Sequence, residues 1–198
     1  MEEILVRGLC KRFGEKVVLQ DFSARFTSGQ TTCVMGRSGC GKTTLLNILM
    51  GFVSPDAGQV TGVPSHLSAV FQEDRLLDGF SARANIAFVR PQLTAKLLGH
   101  HLEAVGLAQD AGRPVRELSG GMRRRVAILR AVLADGDLLL LDEPFKGLDE
   151  ATRASVAAYL RAETAGRTVI MVTHDPDEVA LMGGSLLKME PAEQGQEL

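Results

Sequence analysis

One glycine-rich stretch, residues 36–44, constrains the fold of this chain more than any other feature. It reads GRSGCGKTT and fits the pattern G-x-x-x-x-G-K-[ST]. An apolar run at 31–35 precedes it, and apolar residues at helical spacing follow it over 45–49. A strand, a glycine loop and a helix in this order surround an anion with backbone N–H groups and a helix N-terminus. The sequence therefore predicts a nucleoside-triphosphate site on an α/β fold.

Backbone and side chains of this loop have different predicted roles. Its N–H groups would hold the phosphates, Lys42 would reach the β and γ phosphates, and Thr43 would hold Mg2+. Cys40 could be a reactive thiol beside a helix N-terminus, but we interpret it as a small residue that contributes only its N–H. The predicted nucleotide-binding residues of the loop are Gly36, Arg37, Ser38, Gly39, Cys40, Gly41, Lys42, Thr43 and Thr44.

Short apolar runs predict the strands of a parallel sheet, each ending in a polar or glycine-rich loop. They occupy residues 31–35, 67–71, 138–141 and 169–173. Ligands of open α/β sheets bind outside the carboxyl ends of the strands, so the loops that follow these runs should converge. Two earlier strands are predicted at 4–12 and 17–26, with a turn between them.

Acidic residues follow the run of four leucines at 138–141. Asp142 would stand at the carboxyl end of a buried strand, facing the glycine loop, and would hold Mg2+ through water. Glu143 is then the candidate general base for an attacking water molecule. Because an apolar strand often ends in acidic residues by chance, this interpretation depends on the glycine loop about 100 residues upstream.

Charge and hydropathy exclude several classes of protein. The 198 residues contain 22 Lys+Arg and 24 Asp+Glu, so no global basic field indicates nucleic-acid binding. The three arginines at 123–125 would spread over successive helix faces, in solvent or between lobes. The longest uncharged apolar stretch, 43–55, is shorter than the roughly 20 residues of a membrane span. An acidic start does not resemble a signal peptide, so we expect a cytoplasmic location.

Residues 118–122, LSGGM, resemble the signature sequence of ATP-binding-cassette (ABC) ATPases. Other elements of that family occur in order: Phe13, Gln72, the segment 147–149 and His174. The resemblance implies an α/β P-loop NTPase with an N-terminal antiparallel β subdomain and a short helical subdomain. It implies one ABC ATPase domain over 1–190 and a polar tail at 191–198. Within the domain, the β part would be 1–30, the RecA-like core 31–71 and 119–190, and the helical lobe 72–118.

The resemblance also implies roles for individual residues. Phe13 would stack on adenine, Gln72 would contact Mg2+ or the lytic water, and His174 would hold the γ-phosphate. Two subunits would form a head-to-tail dimer in which one subunit's signature residues clamp the ATP bound to the other. These residues are Ser119, Gly120 and Gly121.

Three positions depart from the family pattern: Met122 replaces Gln, Gly147 replaces Ala or Ser, and Phe13 replaces Tyr. These departures concern the coupling between subunits and leave the phosphate ligands in place. The segments on either side of Gln72 are short for the family, which suggests trimmed lobes. Local strings around Gln72, Met122 and Gly147 are most similar to the ATPases of nitrate, sulfonate and taurine importers.

The expected function is that of an ATP-hydrolysing motor for an ABC importer of a small anionic or organic solute. Its expected partners are a separate transmembrane permease, a second ATPase subunit and a solute-binding protein, with no nucleic acid, at the inner face of the cell membrane. The alternatives are a soluble ABC-type ATPase without a transport partner, a non-catalytic dimerisation module, and a kinase or GTPase. A kinase or GTPase would leave residues 118–122 and His174 without a role.

Overall fold

The computed structural model describes residues 2–192, in which strands and helices alternate after an initial β hairpin. In chain order the elements are β1 (Ile4–Phe13), β2 (Lys16–Phe26), β3 (Thr31–Met35), α1 (Lys42–Leu49), β4 (Ala57–Thr61), β5 (Leu67–Val70), α2 (Ala82–Val89), α3 (Ala95–Ala104), a 3-10 turn (Val115–Glu117), α4 (Gly120–Leu133), β6 (Leu138–Asp142), α5 (Glu150–Glu163), β7 (Thr168–Thr173), α6 (Pro176–Met182) and β8 (Ser185–Lys188).

The first sheet is antiparallel, with strand order β2-β1-β4. Strand β4 was not predicted, because its mostly exposed sequence AGQVT carries no apolar alternation. Gly58 lies where the pairing with β1 is irregular, between Ala57 and Gln59, and a Cβ there would lie 2.3 Å from the carbonyl oxygen of Gly8. Only glycine fits at this position, and its φ of 84° is also in the left-handed region.

The second sheet is entirely parallel, with strand order β5-β6-β7-β3-β8. The four predicted strands are present with shifts of one residue, since Phe71 lies outside β5 while Asp142 and Thr168 lie inside β6 and β7. Strand β8 was missed because it is a short, half-exposed edge strand. The carboxyl ends of β3, β5, β6 and β7 share one edge, so the loops expected to converge do so.

Two cores lie on opposite faces of the parallel sheet, and side chains alternate between them along the central strands. Leu139 and Leu141 of β6 pack with helices α2 to α5. Leu138 and Leu140 pack with α1 and the antiparallel sheet. Every residue of β6 and β7 is buried, as expected for parallel strands covered on both faces.

Polar contacts hold the helical segment that follows β5. Asn85 of α2 is fully buried and accepts a hydrogen bond from the N–H of Leu77 while its amide donates to the carbonyl oxygens of Leu77 and Ser81. His101 of α3 and Tyr159 of α5 share a buried hydrogen bond of 3.0 Å between Nδ1 and the hydroxyl. These contacts add to the apolar packing of the segment, since Ile86, Leu98 and Leu102 are buried in the core that it shares with α4 and α5.

The predicted division of the chain at residues 30, 71 and 118 stays a prediction. Met1 and residues 193–198, which include most of the predicted polar tail, lie outside the described residues. Among the helices formed by residues 2–192, none combines the length and the apolar character that crossing a membrane requires.

Candidate functional site

The glycine loop connects β3 to α1 and curls tightly enough to require glycine at two positions. At Gly36 a Cβ would lie 2.3 Å from the carbonyl oxygen of Met189 and 2.6 Å from the Sγ of Cys40. Gly41 caps α1 with a φ of 104°, and a Cβ there would lie 2.9 Å from the carbonyl oxygen of Val18. Cys40 is buried beneath the loop, where its backbone N–H donates to Arg37. The loop therefore has the tight curl that phosphate binding requires.

Lys42 begins helix α1 and is buried, with 6% of its surface exposed. Its ammonium donates to the carbonyl oxygens of Gly36 at 2.6 Å and Arg37 at 3.0 Å. A buried ammonium held only by loop carbonyls can exchange these acceptors for phosphate oxygens when an anion enters the loop.

A cavity of about 300 Å³ opens beside the loop. It is lined by Phe13, Lys16, Val18, Ser38, Gly39, Gly41, Lys42, Thr43, Thr44, Gln72 and Glu143. Predicted residues from four separate parts of the chain therefore meet around one space. Phe13 lies at its edge with 51% of its surface exposed, and the ammonium of Lys11 stands 5.4 Å from its ring centroid. An exposed ring in this position is available to stack on a planar base.

Asp142 lies at the end of β6 and is buried, with 5% of its surface exposed. Burial raises the pKa of its carboxyl above the ordinary value, and a hydrogen bond from the Thr43 side chain opposes the rise. The Asp142 carboxylate and the Thr43 hydroxyl, which lie within hydrogen-bond reach of each other, are hard oxygen ligands of the kind that Mg2+ prefers. The residues present therefore fit a magnesium ion.

Glu143 follows Asp142 with a backbone φ of 47°, in the left-handed region that non-glycine residues rarely adopt. Its N–H donates to the carbonyl oxygen of Val172 at 3.0 Å. Its carboxylate lies 3.1 Å from Nδ1 of His174 and 3.9 Å from the ammonium of Lys146. The turn directs the Glu143 side chain into the cavity beside the loop, and backbone strain of this kind concentrates at functional sites.

His174 follows β7 and is mostly exposed, with 62% of its side chain accessible. The loop that carries it is anchored: the N–H of Asp175 donates to the Thr173 hydroxyl at 3.1 Å, and Thr173 donates in turn to the buried Glu178. Arg153 of α5 pairs with Asp175 at 2.9 Å. His174 contacts Glu143, although it does not line the cavity itself.

The signature residues lie at the start of α4. The Ser119 hydroxyl caps the helix by accepting a hydrogen bond from the N–H of Met122 at 3.3 Å, and Gly120 faces open space. A Cβ at Gly121 would lie 3.2 Å from the carbonyl oxygen of Gly147, whose φ of 77° favours glycine. This accounts for one departure from the family pattern. The predicted clamp residues do not line the cavity at Lys42, so one chain does not unite the two sets.

Arg124 takes the second of the two places expected for the arginines at 123–125, since it contacts Asp74 in the segment predicted as the helical lobe. It is not in solvent, because only 3% of its surface is exposed. Its contacts with the turn at Glu143 were not predicted. Its guanidinium donates to backbone oxygens on both sides of Glu143 and pairs with Asp74. The signal was helical spacing, since Ile128 and Ala131 stand four and seven residues further on and are buried.

Comparison with known proteins identifies relatives of the whole domain. The family model described as ABC transporter matches residues 19–146. The taurine import ATP-binding protein TauB of Roseobacter denitrificans is 38% identical over 213 residues, covering 96% of this chain and 79% of that protein. The nitrate import ATP-binding protein NrtD of Synechococcus elongatus is 39% identical, covering 89% of this chain and 70% of that protein. The aliphatic sulfonates import ATP-binding protein SsuB 3 of Paraburkholderia xenovorans is 39% identical, covering 94% and 76%.

Solved structures confirm the predicted fold class. A bacterial Atm1-family ABC exporter with ATP bound superposes with a TM-score of 0.83 at 23% identity, covering 96% of this chain and 38% of that chain. An inward-facing putative metal-chelate type ABC transporter gives a TM-score of 0.77 at 27% identity, covering 96% and 80%. The family match and the relatives confirm the resemblance drawn from the signature sequence: this chain belongs to the ABC transporter family, as an ATP-binding subunit that hydrolyses ATP.

Proposed function

We propose that this chain is the motor of an importer for a small anionic or organic solute, of the class that includes taurine, sulfonates and nitrate. The observation that carries the proposal is the cavity that Lys42 and Glu143 line together, with Asp142 behind it. A phosphate-binding lysine, a metal-binding carboxylate and a candidate base in one space are the parts that ATP hydrolysis requires. The relatives named for import of such solutes support the transport role.

The nucleotide would lie with its base on Phe13 and its phosphates in the glycine loop. Lys42 would release the carbonyl oxygens of Gly36 and Arg37 and donate to the β and γ phosphates. Thr43, Gln72 and Asp142 would hold Mg2+, which when bound neutralises charge on the β and γ phosphates. Binding would thereby relieve the cost of burying the Asp142 carboxylate.

Hydrolysis would depend on Glu143 and its neighbours. The Glu143 carboxylate would accept a proton from the attacking water, which its position in the lining of the cavity beside the loop supports. His174, 3.1 Å from Glu143, would donate to the γ-phosphate and hold it in line. Gln72, which also lines the cavity, would orient the water.

The second half of the site would come from another subunit. Ser119 and Gly120 are exposed at the N-terminus of the 14-residue helix α4, with space around them in the single chain. In a head-to-tail dimer they and Gly121 would face the γ-phosphate of the partner subunit, where a helix N-terminus and its N–H groups stabilise an anion. ATP would therefore close the dimer, and hydrolysis would reopen it.

The membrane partner would be a separate transmembrane permease that docks near Gln72 and the helical segment. Phe80 and Phe88 of this segment expose 59% and 75% of their surfaces, and aromatic side chains are enriched in protein interfaces. We therefore place the subunit at the cytoplasmic face of the cell membrane. A solute-binding protein would deliver the solute to the permease from the other side.

The test is to purify the tagged subunit in mild detergent from membranes of its own source and to identify co-purifying proteins by mass spectrometry. The proposal predicts recovery of a protein with several membrane spans. A matched sample of the Phe88→Glu variant should recover less of it, because a charge would replace the exposed ring. Recovery only from the soluble fraction, without a membrane protein, would favour a soluble ABC-type ATPase and contradict the proposal.

A further inference from the structure

Arg124 lies in the second turn of α4 and is almost completely buried, with 4% of its side chain accessible. Each of its five N–H groups has an acceptor. Nε donates to the carbonyl oxygen of Pro144 at 3.1 Å. One terminal nitrogen donates to the carbonyl oxygen of Phe71 and to Oδ1 of Asp74, and the other donates to the carbonyl oxygens of Asp142 and Glu143. A guanidinium carries five donors in a fixed plane, so its capacity is fully used.

The acceptors belong to two separate segments of the chain. Phe71 and Asp74 flank Gln72 in the loop after β5, whereas Asp142 ends β6 and Glu143 and Pro144 follow it. Both segments line the nucleotide cavity through Gln72 and Glu143. The Arg124 guanidinium therefore connects the two segments that contribute Gln72 and Glu143 to the cavity.

The turn at Glu143 is the part of the site that needs external support. Its φ of 47° costs free energy, and such a conformation persists only when surrounding contacts hold it. Arg124 binds the carbonyl oxygens of the residue itself, at 2.7 Å, and of both its neighbours. The Asp74 carboxylate, 3.1 Å away, partly balances the buried charge.

We propose that Arg124 is a positioning residue for ATP hydrolysis: it fixes the Glu143 carboxylate and ties the loop of Gln72 to it. Arg124 touches neither nucleotide nor metal, and it acts through the backbone that carries the two side chains. This inference rests on the roles proposed above for Glu143 and Gln72. Loss of this positioning role should lower kcat and leave ATP binding in place.

The test compares Arg124→Gln and Arg124→Lys with the wild-type chain in kcat, KM and ATP affinity. We expect both variants to lose about tenfold or more in kcat while the Kd for ATP changes less than about threefold. The lysine variant keeps the charge but presents its donors from one atom, so it should not restore kcat. Wild-type kcat in the lysine variant, or a parallel loss of kcat and ATP affinity in both variants, would overturn the proposal.

Arg167 provides the matched control. Like Arg124 it donates to a carbonyl oxygen, that of Val132 at 2.8 Å, and it also donates to the Ser68 hydroxyl at 3.3 Å, although it is only half-buried. It joins elements at the opposite end of the sheet from the cavity. Arg167→Gln should lower thermal stability and leave kcat within about twofold of wild type. An equal kcat loss in Arg167→Gln would assign the effect of Arg124 to general destabilisation.

Asp74→Ala keeps the proposal testable if the Arg124 variants do not fold. Asp74 is partly accessible, and its removal takes away one of the two contacts between Arg124 and the loop after β5, while the contact with the carbonyl oxygen of Phe71 remains. We expect kcat of Asp74→Ala to fall about threefold with little change in the Kd for ATP. If Arg124→Gln folds, the double variant should show no additional loss. Unchanged kcat in Asp74→Ala, or full additivity in the double variant, would contradict the role of Arg124 in tying the loop of Gln72 to the turn at Glu143.

Glu143→Gln measured in parallel separates this inference from the proposed function. If Glu143→Gln retains full turnover, the assignment of the base fails, whatever Arg124 does. If Glu143→Gln stops hydrolysis while Arg124→Gln does not, only the positioning role fails.

Discussion

The two halves of the proposed nucleotide site differ in how much of each a single chain builds. The loop half is buried and closely connected: Lys42 and Asp142 are 6% and 5% exposed, and both contact other predicted site residues or the loop itself. The signature half is exposed at Ser119 and Gly120 and lies outside the cavity. One half is thus organised before any partner arrives, whereas the other displays N–H groups at the start of a helix.

This difference determines which property of the protein a substitution should change. Changes in the loop half should alter binding or chemistry within one subunit, since its groups already contact each other. Changes in the signature half should leave the isolated subunit intact and alter only what happens after dimerisation. The following variants test this division, beginning with the largest expected effect.

Glu143→Gln removes the candidate base from the loop half. Turnover should fall at least about a hundredfold, because a glutamine amide does not accept the proton of the attacking water. ATP binding should persist, since Lys42 and the loop are unchanged. Steady-state phosphate release and equilibrium binding of a labelled nucleotide measure the two quantities, and turnover at the wild-type rate would refute the role of Glu143.

Gly120→Asp tests the signature half. A Cβ at this position meets no atom within 4 Å, so the subunit should fold as before, but a carboxylate would repel the γ-phosphate of the partner's ATP. We expect turnover to fall about tenfold or more with unchanged ATP affinity of the monomer. Gly112→Asp is the control, because Gly112 is exposed and equally free of neighbours. Equal losses of turnover at both positions would show that Gly120 has no special role in the dimer.

Tyr159→Phe tests a region that belongs to neither half. It removes the buried hydrogen bond between α3 and α5 and leaves His101 without this partner. The free energy of unfolding should fall by about 1–2 kcal/mol, measured by urea titration, while kcat stays at the wild-type value. A change in kcat without a change in stability would show that this contact communicates with the site.

Asp142→Asn should have the smallest effect on the free subunit, and in an unusual direction. Burial raises the pKa of this carboxyl, so the folded chain retains a proton that the unfolded chain releases as pH rises. Stability is therefore lost as pH increases from the unfolded pKa to the folded pKa. Without nucleotide, the asparagine variant should melt a few degrees higher than wild type at pH 7, and the gap should close at acid pH. A wild-type chain that melts higher at pH 7 would contradict the desolvation.

Much of the loop half could be predicted from the sequence because its residues occur in short local patterns. Residues 36–44 combine a loop and the helix that follows it, and the leucines of β6 deliver Asp142 and Glu143 to the strand end. The meeting of these patterns followed from the rule that parallel strands present their carboxyl ends at one edge. The four parallel strands and the family were confirmed.

The features that escaped prediction depend on contacts between distant residues. Strands β4 and β8 lie at sheet edges, where exposure removes the apolar alternation that marks a strand. Arg124 stands in a run of three arginines, and its contacts with the turn at Glu143 join residues 18 to 20 positions apart, which no local pattern predicts. The left-handed backbone conformation at Glu143 was not predicted, because this conformation usually occurs at glycine. Tertiary contacts decide all of these features.

Sedimentation of the Glu143→Gln variant tests whether two subunits complete each nucleotide site. In analytical ultracentrifugation the variant should be a monomer without nucleotide and a dimer with ATP and Mg2+, because unhydrolysed ATP would join the loop half of one chain to the signature half of another. Adding Gly120→Asp to the same chain should abolish the dimer. A chain that stays monomeric with ATP, or that dimerises regardless of ATP and of Gly120, would contradict the account.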